Sequence, residues 1–320
     1  MTNSALKIWT NVRYDDAAMQ LLRAGTAEHQ LIVTEAKDAA ALAEADVAFG
    51  QPDVDAVKQA LRQGQLRWVH LDSAGYDRFD NDELRAALTA RDAVLTNSSA
   101  VFDEPCAQHA LAMMMSLARR IPQARDRQIG DHGWPMMELR AETYLLNGQT
   151  ALLLGFGAIA RRLVELLAPL HMNLIAVRRR PTGDEAIPVI AEDELDAHLP
   201  RADHVINLLP MSAATRHFVN AARLAVMKPG AIFYNIGRGG TVDQTALLAA
   251  LESGKLAAAY LDVTDPEPLP PDHPFWTSPN CFITPHTAGG HIGERDRLVR
   301  HFLENLRRFT AGETLTDRVF

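Results

Sequence analysis

Residues 151–167 read "ALLLGFGAIARRLVELL". A short apolar run is followed by Gly155 and Gly157. A stretch with Ile159, Leu163, Val164 and Leu167 on one helical face comes next. Strand, glycine turn and helix in that order make a βα unit whose backbone can cradle phosphate. Gly155 allows the tight turn, and Gly157 lets the backbone approach a pyrophosphate. Ala160, at the third position, packs helix on strand. The helix start adds N–H donors and the positive end of a dipole. Glycine turns also occur incidentally between strands and helices. Here, however, the next strand, "NLIAV", runs out at Arg178, 23 residues after Gly155. A site for NAD places Asp or Glu about 20 residues on, to accept from the ribose hydroxyls. This chain has "VRRRP" at 177–181. Arg178 and Arg179 there predict the 2′-phosphate of NADP as the ligand, held by charge-assisted bonds, with NAD as the alternative.

The same grammar extends outward in both directions. Before residue 100, "LKIWTNV", "QLIVT", "DVAFG" and "LRWVHLD" alternate with helical patterns such as "DDAAMQLLRAG". After residue 150, "HVINLLP", "AIFYNIG", "LAAAYLDV" and "CFITPH" do the same. Such alternation predicts βαβ units and parallel sheets. A helix is expected over residues 103–120, with Asp103 as its cap and Pro105 in its first turn. Its Met-rich run "ALAMMMSLA" offers more apolar surface than one domain face needs, which predicts a homodimer. Residues 294–310, "ERDRLVRHFLENLRRFT", read as an amphipathic helix.

A net charge of −8 argues against a nucleic-acid partner. Two cysteines, Cys106 and Cys281, are too few for a disulfide framework and point to a reducing compartment, the cytoplasm by default. The first residues, "MTNSALKIWTNV", hold no apolar signal core, and no run is long enough to span a membrane. No His, Asp or Glu set has metal-ligand spacing, so no metal is expected.

Three segments carry chemistry. "YNIGRGG" holds Arg238, "LDVTDPEPLPPDHPFW" holds Glu267 and "ITPHTAGG" holds His286. Each follows an expected strand of one parallel sheet, so all three should emerge at its carboxyl edge, where such sheets bind ligands. A cation, a carboxylate and an imidazole beside a nicotinamide suit hydride transfer to a carbonyl with histidine as proton donor. Singly, each residue also reads as an ordinary loop or strand-end polar group.

Together with "GFGAIA", "LLP", "MKPGAIFYNIGRGG" and "ALESGKLAAAYLDV", these segments resemble the D-isomer-specific 2-hydroxyacid dehydrogenases, which include glyoxylate/hydroxypyruvate reductases and phosphoglycerate dehydrogenase. The family's Arg, Glu and His fall on Arg238, Glu267 and His286, with 28 and 18 residues between them. The resemblance implies an α/β fold of two doubly wound parallel-sheet domains. A Rossmann-type cofactor domain, 100–286, is inserted into a flavodoxin-like substrate domain of residues 1–99 and 287–320. It further implies that Ala158 and Ile159 touch the pyrophosphate, that Asp262 faces the nicotinamide amide, and that Ile236 lines the cofactor site. The substrate lies in the cleft, with its carboxylate on Arg238 and on the backbone near Ala74 and Gly75; Gln51 and Phe102 are further pocket residues. "RWVHLDSAGYDRFD" and "VLTNSSAVFDEPCAQHALAMMMSLAR" match the family's substrate loop and dimerisation helix. Trp134 is a candidate to reach the partner subunit, with dimer packing as its plainer reading.

Departures narrow the choice. Arg178 replaces the family's usual aspartate. Thr264 stands where phenylalanine is common, with no role expected. Nothing after the last helix reads as a serine-binding regulatory module, so none is expected. Formate dehydrogenases of this family carry glutamine at the position of Glu267. These features predict NADP-dependent reduction of a 2-ketoacid of the glyoxylate/hydroxypyruvate class. An NAD-dependent enzyme acting on phosphoglycerate or phosphite is the alternative, and a dinucleotide-sensing corepressor scaffold the outsider. His109, His132 and His291 read as structural or solvated.

Overall fold

A computed structural model of the chain describes residues 5–34, 38–278 and 280–320. The first four residues of the N-terminal stretch read above for a signal lie outside them. Contacts divide the chain into two compact units, Met1–Phe102 with His291–Phe320, and Asp103–Gly290.

The first unit holds β1 (Lys7–Thr10), β2 (Gln30–Val33), β3 (Val47–Gly50), β4 (Trp68–Leu71) and β5 (Val94–Thr96). They pair in the order β2-β1-β3-β4-β5, all parallel. This is the flavodoxin-type order. The strands β3 and β4 are buried along their whole length, as strands covered on both faces must be. The C-terminal helix Glu294–Ala311 belongs to this unit. Its stripe of Leu298, Val299, Phe302 and Leu306 is buried, and Phe302 stacks on Phe49 with centroids 4.2 Å apart and on Trp68 at 5.4 Å. A helix remote in sequence thus completes the core of the first unit.

The second unit holds β6 (Thr150–Leu154), β7 (Asn173–Val177), β8 (Val189–Ile190), β9 (His204–Asn207), β10 (Ala231–Asn235), β11 (Leu256–Leu261) and β12 (Cys281–Ile283). The seven strands pair in the order β12-β11-β10-β9-β6-β7-β8, all parallel. This is the dinucleotide-binding order extended by one strand. β6 lies between β7 and β9, where the winding reverses, and ligands of open α/β sheets bind outside the strand ends at such a point. Gly155 follows β6 directly. The expected pair of doubly wound sheets is what the chain forms.

The long helix differs from expectation. It spans Ser99–Ala118, so Asp103 does not cap it and Pro105 lies inside it. The start is served by two other groups: Asn97 accepts from the Ser99 N–H at 3.2 Å, and Asp317, 217 residues away, accepts from the Ala100 N–H at 2.7 Å. The Met-rich run is corrected too. Of its three methionines, Met113 and Met114 are buried within the chain and Met115 is exposed. Further apolar residues face solvent after the helix, among them Ile121, Ile129, Trp134, Met136, Met137 and Leu145.

Two buried histidines make the fold acid-sensitive. His204 on β9 bonds the Tyr234 hydroxyl at 3.0 Å and the side-chain amide oxygen of Gln149. Burial pushes its pKa down to about 4, against a smaller upward pull from Asp203. His70 on β4 is pushed down by burial and then by His301. A histidine titrating near 6.5 unfolded and lower when folded binds its proton more readily in the unfolded chain. The stability it supports is complete above about pH 6.5 and drains as pH falls toward the folded value, by on the order of 3 kcal/mol for His204. We expect the urea midpoint to drop between pH 7 and pH 4.5, and His204→Gln to flatten that dependence. Equal slopes for variant and parent would assign the acid sensitivity elsewhere.

Candidate active site

The glycine turn fits a dinucleotide. Gly155 has φ +103°, a conformation that L side chains resist, while a Cβ there would only touch Leu208 at 3.5 Å. Conformation, not space, requires that glycine. Gly157 has no positive φ, and nothing of the protein lies within 4 Å of a Cβ placed on it. The open space it faces is what close approach of a diphosphate needs. It also precedes the helix Ala158–Leu167, whose start has no side-chain cap. The first-turn N–H groups, including those of Ala158 and Ile159, lack intrahelical acceptors and suit an anion. Arg178 follows β7 and is partly exposed; Arg179 and Arg180 are exposed. Arg178 has a partner that sequence reading did not supply, Glu185, at 3.3 Å. Ile236 is buried just after β10.

β10, β11 and β12 are neighbours in the sheet, and Arg238, Glu267 and His286 each follow one of them. His286 Nδ1 lies 2.7 Å from Glu267 Oε2. The carboxylate accepts, so Nδ1 carries the hydrogen and Nε2 is left for a ligand. The imidazole side chain is 54% exposed, which leaves it reachable. His286 holds φ +52°, and its backbone N–H donates to the carbonyls of Asp262 and Thr284. A non-glycine residue in that region is kept there by its surroundings. Glu267 Oε1 accepts from the Thr264 N–H at 3.0 Å, so Thr264, to which no role was given, orients the acid.

Arg238 sits between glycines for a steric reason. A Cβ on Gly239 would fall 2.0 Å from the Thr264 carbonyl carbon, and one on Gly237 2.7 Å from the Leu209 oxygen. Gly239 lets this loop press against the loop that carries Glu267, and Gly237 lets it press against the segment after β9. Buried amides set its course. Asn207 donates to Asn235 and to Thr241, while Asn235 and Thr241 both donate to the Arg238 carbonyl. Sequence reading missed these partners, although Asn235 stands inside "YNIGRGG".

Asp262 is 3% exposed. It accepts from the Thr284 hydroxyl at 2.7 Å, the Thr287 N–H at 2.9 Å and the Ala288 N–H at 3.1 Å. This carboxylate therefore ties down both flanks of His286. His109, read above as structural or solvated, joins it. Its Nε2 is 3.1 Å from the Thr284 hydroxyl and 3.6 Å from Asp262, and burial lowers its pKa. Neutral His109 donates to Thr284, which donates to Asp262. Among the described residues no group of His, Cys, Asp or Glu could hold a metal ion, and no helix is long and apolar enough to cross a membrane. The Cys281 thiol, pushed up to about 12 by burial, is no nucleophile.

In the first unit, Ala74 and Gly75 lie in the loop after β4. Their carbonyls accept from Asn97 and Ser73. Gln51 does not offer a free amide. Its nitrogen donates to Asp72 at 2.8 Å and Ser73 at 2.9 Å, and its oxygen accepts from Arg78 at 2.8 Å. Gln51 thus holds the loop in shape. Phe102 is partly buried on the long helix, and Trp134 is 90% exposed on its own chain.

Residues 111–288 match the family described as D-isomer specific 2-hydroxyacid dehydrogenase, NAD binding domain. Glyoxylate/hydroxypyruvate reductase B of Citrobacter koseri is 34% identical over 282 residues, covering 85% of this chain and 84% of the relative. Glyoxylate reductase of Aeropyrum pernix is 32% identical over 299 residues, 89% of this chain and 84% of that one. An uncharacterised protein of Corynebacterium melassecola is 39% identical over 180 residues, 56% of this chain and 59% of its own length. A solved D-isomer-specific 2-hydroxyacid dehydrogenase of Xanthobacter autotrophicus Py2, in complex with NADPH and MES, aligns over 99% of this chain and 98% of its own, at TM-score 0.83 and 26% identity. The chain belongs to the D-isomer-specific 2-hydroxyacid dehydrogenase family. It is an oxidoreductase of that family, and its second unit is a nicotinamide-dinucleotide-binding domain.

The role of Asp262 as anchor is measurable. Asp262→Asn turns one acceptor oxygen into a donor facing the Ala288 N–H. Bonds to a buried charged acceptor are worth roughly 1.5–3 kcal/mol each, so a loss of about 1–3 kcal/mol in unfolding free energy is expected. Turnover should fall with it, because the His286 loop loses its fixed course. Urea unfolding and steady-state kinetics check this; a variant as stable and active as the parent removes Asp262 from the account.

Proposed function

We propose that the protein reduces a small 2-ketoacid of the glyoxylate/hydroxypyruvate class to the D-2-hydroxyacid, with NADPH as preferred cofactor and NADH as the lesser one. The observation that carries the chemistry is the 2.7 Å contact between His286 Nδ1 and Glu267 Oε2 at the carboxyl edge of the sheet. The names of the full-length relatives support the substrate class, and Arg178 with Arg179 at the end of β7 supports the cofactor. When bound, the cofactor supplies a hydride to C2 of the ketoacid. Arg238 binds the substrate carboxylate and polarises its carbonyl. Ala74 and Gly75 are the first unit's candidates for substrate binding, through their backbone N–H groups. Doubly protonated His286 gives its Nε2 proton to the oxygen of C2 as that oxygen gains charge. Glu267 keeps the proton on Nδ1 and stabilises the charged ring before transfer. Gly155, Gly157, Ala158 and Ile159 hold the diphosphate, Ile236 lines the site, and Asp262 faces the nicotinamide amide. The two free thiols suit a reducing compartment, the cytoplasm. The exposed Ile121, Trp134, Met136 and Met137 support a homodimer.

Cofactor choice is tested directly. One phosphate on two arginines should favour NADPH over NADH in kcat/KM by roughly 10- to 100-fold. Equal efficiency, or a preference for NADH, refutes the cofactor assignment. A panel of 2-ketoacids in the same assay tests the substrate class.

Glu267→Gln keeps shape and removes charge. General acid–base catalysis contributes about 10²- to 10⁴-fold, so kcat should fall by about 10²-fold or more with KM little changed. An active Gln variant would show that Glu267 does not serve His286. For assembly, light scattering at micromolar concentration should give twice the chain mass. A monomer mass excludes the dimer.

A further inference from the structure

The loop after β7 contains a carboxylate that the cofactor assignment does not use. Glu185 is followed in chain order from "VRRRPTGDE", and its side chain is 7% exposed although the surrounding loop is on the surface. Its Oε1 accepts from the Thr182 N–H at 2.7 Å and lies 2.8 Å from the Thr182 hydroxyl. Its Oε2 accepts from the Gly183 N–H at 2.7 Å. Gly183 has φ +84°, so a tight turn wraps the carboxylate. From the other side Arg178 Nη1 donates to Oε1 at 3.3 Å.

We propose that Glu185 is a positioning residue for cofactor specificity: it folds the 178–185 loop around itself and holds one edge of the Arg178 guanidinium, so that the opposite edge is presented to the 2′-phosphate. This rests on the NADPH reading above. The chemistry of the fork supports it. A guanidinium has five N–H donors in one plane, and bidentate recognition of phosphate uses two adjacent ones. A contact at Nη1 alone leaves the edge of Nε and Nη2 for a ligand. An arginine at a strand end is otherwise a flexible side chain that loses rotamer freedom when a phosphate captures it; one already held loses less.

The carboxylate could instead act as an NAD-type acceptor for the ribose hydroxyls. Its engagement argues otherwise, since both oxygens are occupied by loop donors and Arg178. The turn also holds it firmly ionised, with the Thr182 N–H as the leading cause of a pKa near 2 and the Thr182 hydroxyl and Gly183 N–H adding to it. Its negative charge must also repel the incoming phosphate to some degree. Arg178 and two backbone N–H groups offset that charge locally, Arg179 and Arg180 flank it on the chain, and Asp184 is the one other acid in the turn. Alignment of Arg178 is therefore expected to outweigh repulsion.

Binding of NADPH and NADH to the parent, Glu185→Gln, Arg178→Ala and the double variant, by fluorescence titration, decides the matter. Glu185→Gln should weaken NADPH about 5- to 10-fold, in the range of one charge-assisted bond, and leave NADH within about twofold. In the double variant the loss should not exceed that of Arg178→Ala alone, because Glu185 acts through Arg178. A purely structural role would weaken both cofactors alike, and that result overturns the proposal, as does unchanged or tighter NADPH binding. If the parent itself favours NADH, the cofactor reading fails and the proposal with it. If the parent favours NADPH and Arg178→Ala abolishes the preference while Glu185→Gln leaves NADPH binding unchanged, only the role of Glu185 fails.

Discussion

The direction of strand pairing in the second unit governs its chemistry. Because β10, β11 and β12 run parallel and adjacent, the three segments that leave them start from the same edge of one sheet. No single loop then has to carry a cation, an acid and an imidazole. Each loop carries one, and the loops are pressed together by contacts that ordinary side chains would forbid. Gly239 against Thr264 is the clearest case, since any larger residue there would separate the Arg238 loop from the one that holds Glu267. Parallel pairing places the groups, and glycine closeness brings them together.

Much of this arrangement was legible in the sequence because it is written in local patterns. Strand, glycine turn and helix are read from neighbours in the chain, and so are the strands that precede Arg238, Glu267 and His286. What escaped was set by partners far away. The long helix begins at Ser99, where Asn97 and the distant Asp317 serve its start, and no window around Asp103 could reveal the second of them. Met113 and Met114 are buried because of packing that a count of apolar residues does not locate. Gln51 is a pocket candidate by position, yet its amide is engaged with Asp72, Ser73 and Arg78. Thr264 had no signal at all, since its contribution to Glu267 is a backbone N–H.

His109 shows why a lone histidine is hard to interpret. Nothing near it in sequence marks it, and its partner Thr284 is 175 residues away. In the fold it heads a chain of donors that ends on Asp262, the carboxylate that ties down the His286 loop. A buried carboxylate is costly unless its oxygens are satisfied, and here satisfying them is the same act as fixing the loop. Stability and positioning are therefore coupled at Asp262, and beside these bonds the left-handed backbone of His286 is held by its own N–H, which donates to the backbone carbonyls of Asp262 and Thr284.

Coupling of the opposite kind operates around β7. There the group proposed to bind the anion is Arg178, a partly exposed arginine beyond the end of the strand, where sheet packing does not hold its long side chain. The chain solves this with a second turn, in which Glu185 is enclosed by Thr182 and Gly183 and reaches back to Arg178. The acid of the dyad and the acid of this turn thus do the same physical work on different partners. Glu267 takes one nitrogen of the His286 ring, and on the reading proposed above the other is turned to the reaction. Glu185 takes one edge of the Arg178 guanidinium, and on the same reading the opposite edge is turned to the phosphate. In both, a carboxylate bonded to one side of a nitrogen group leaves the other side to act.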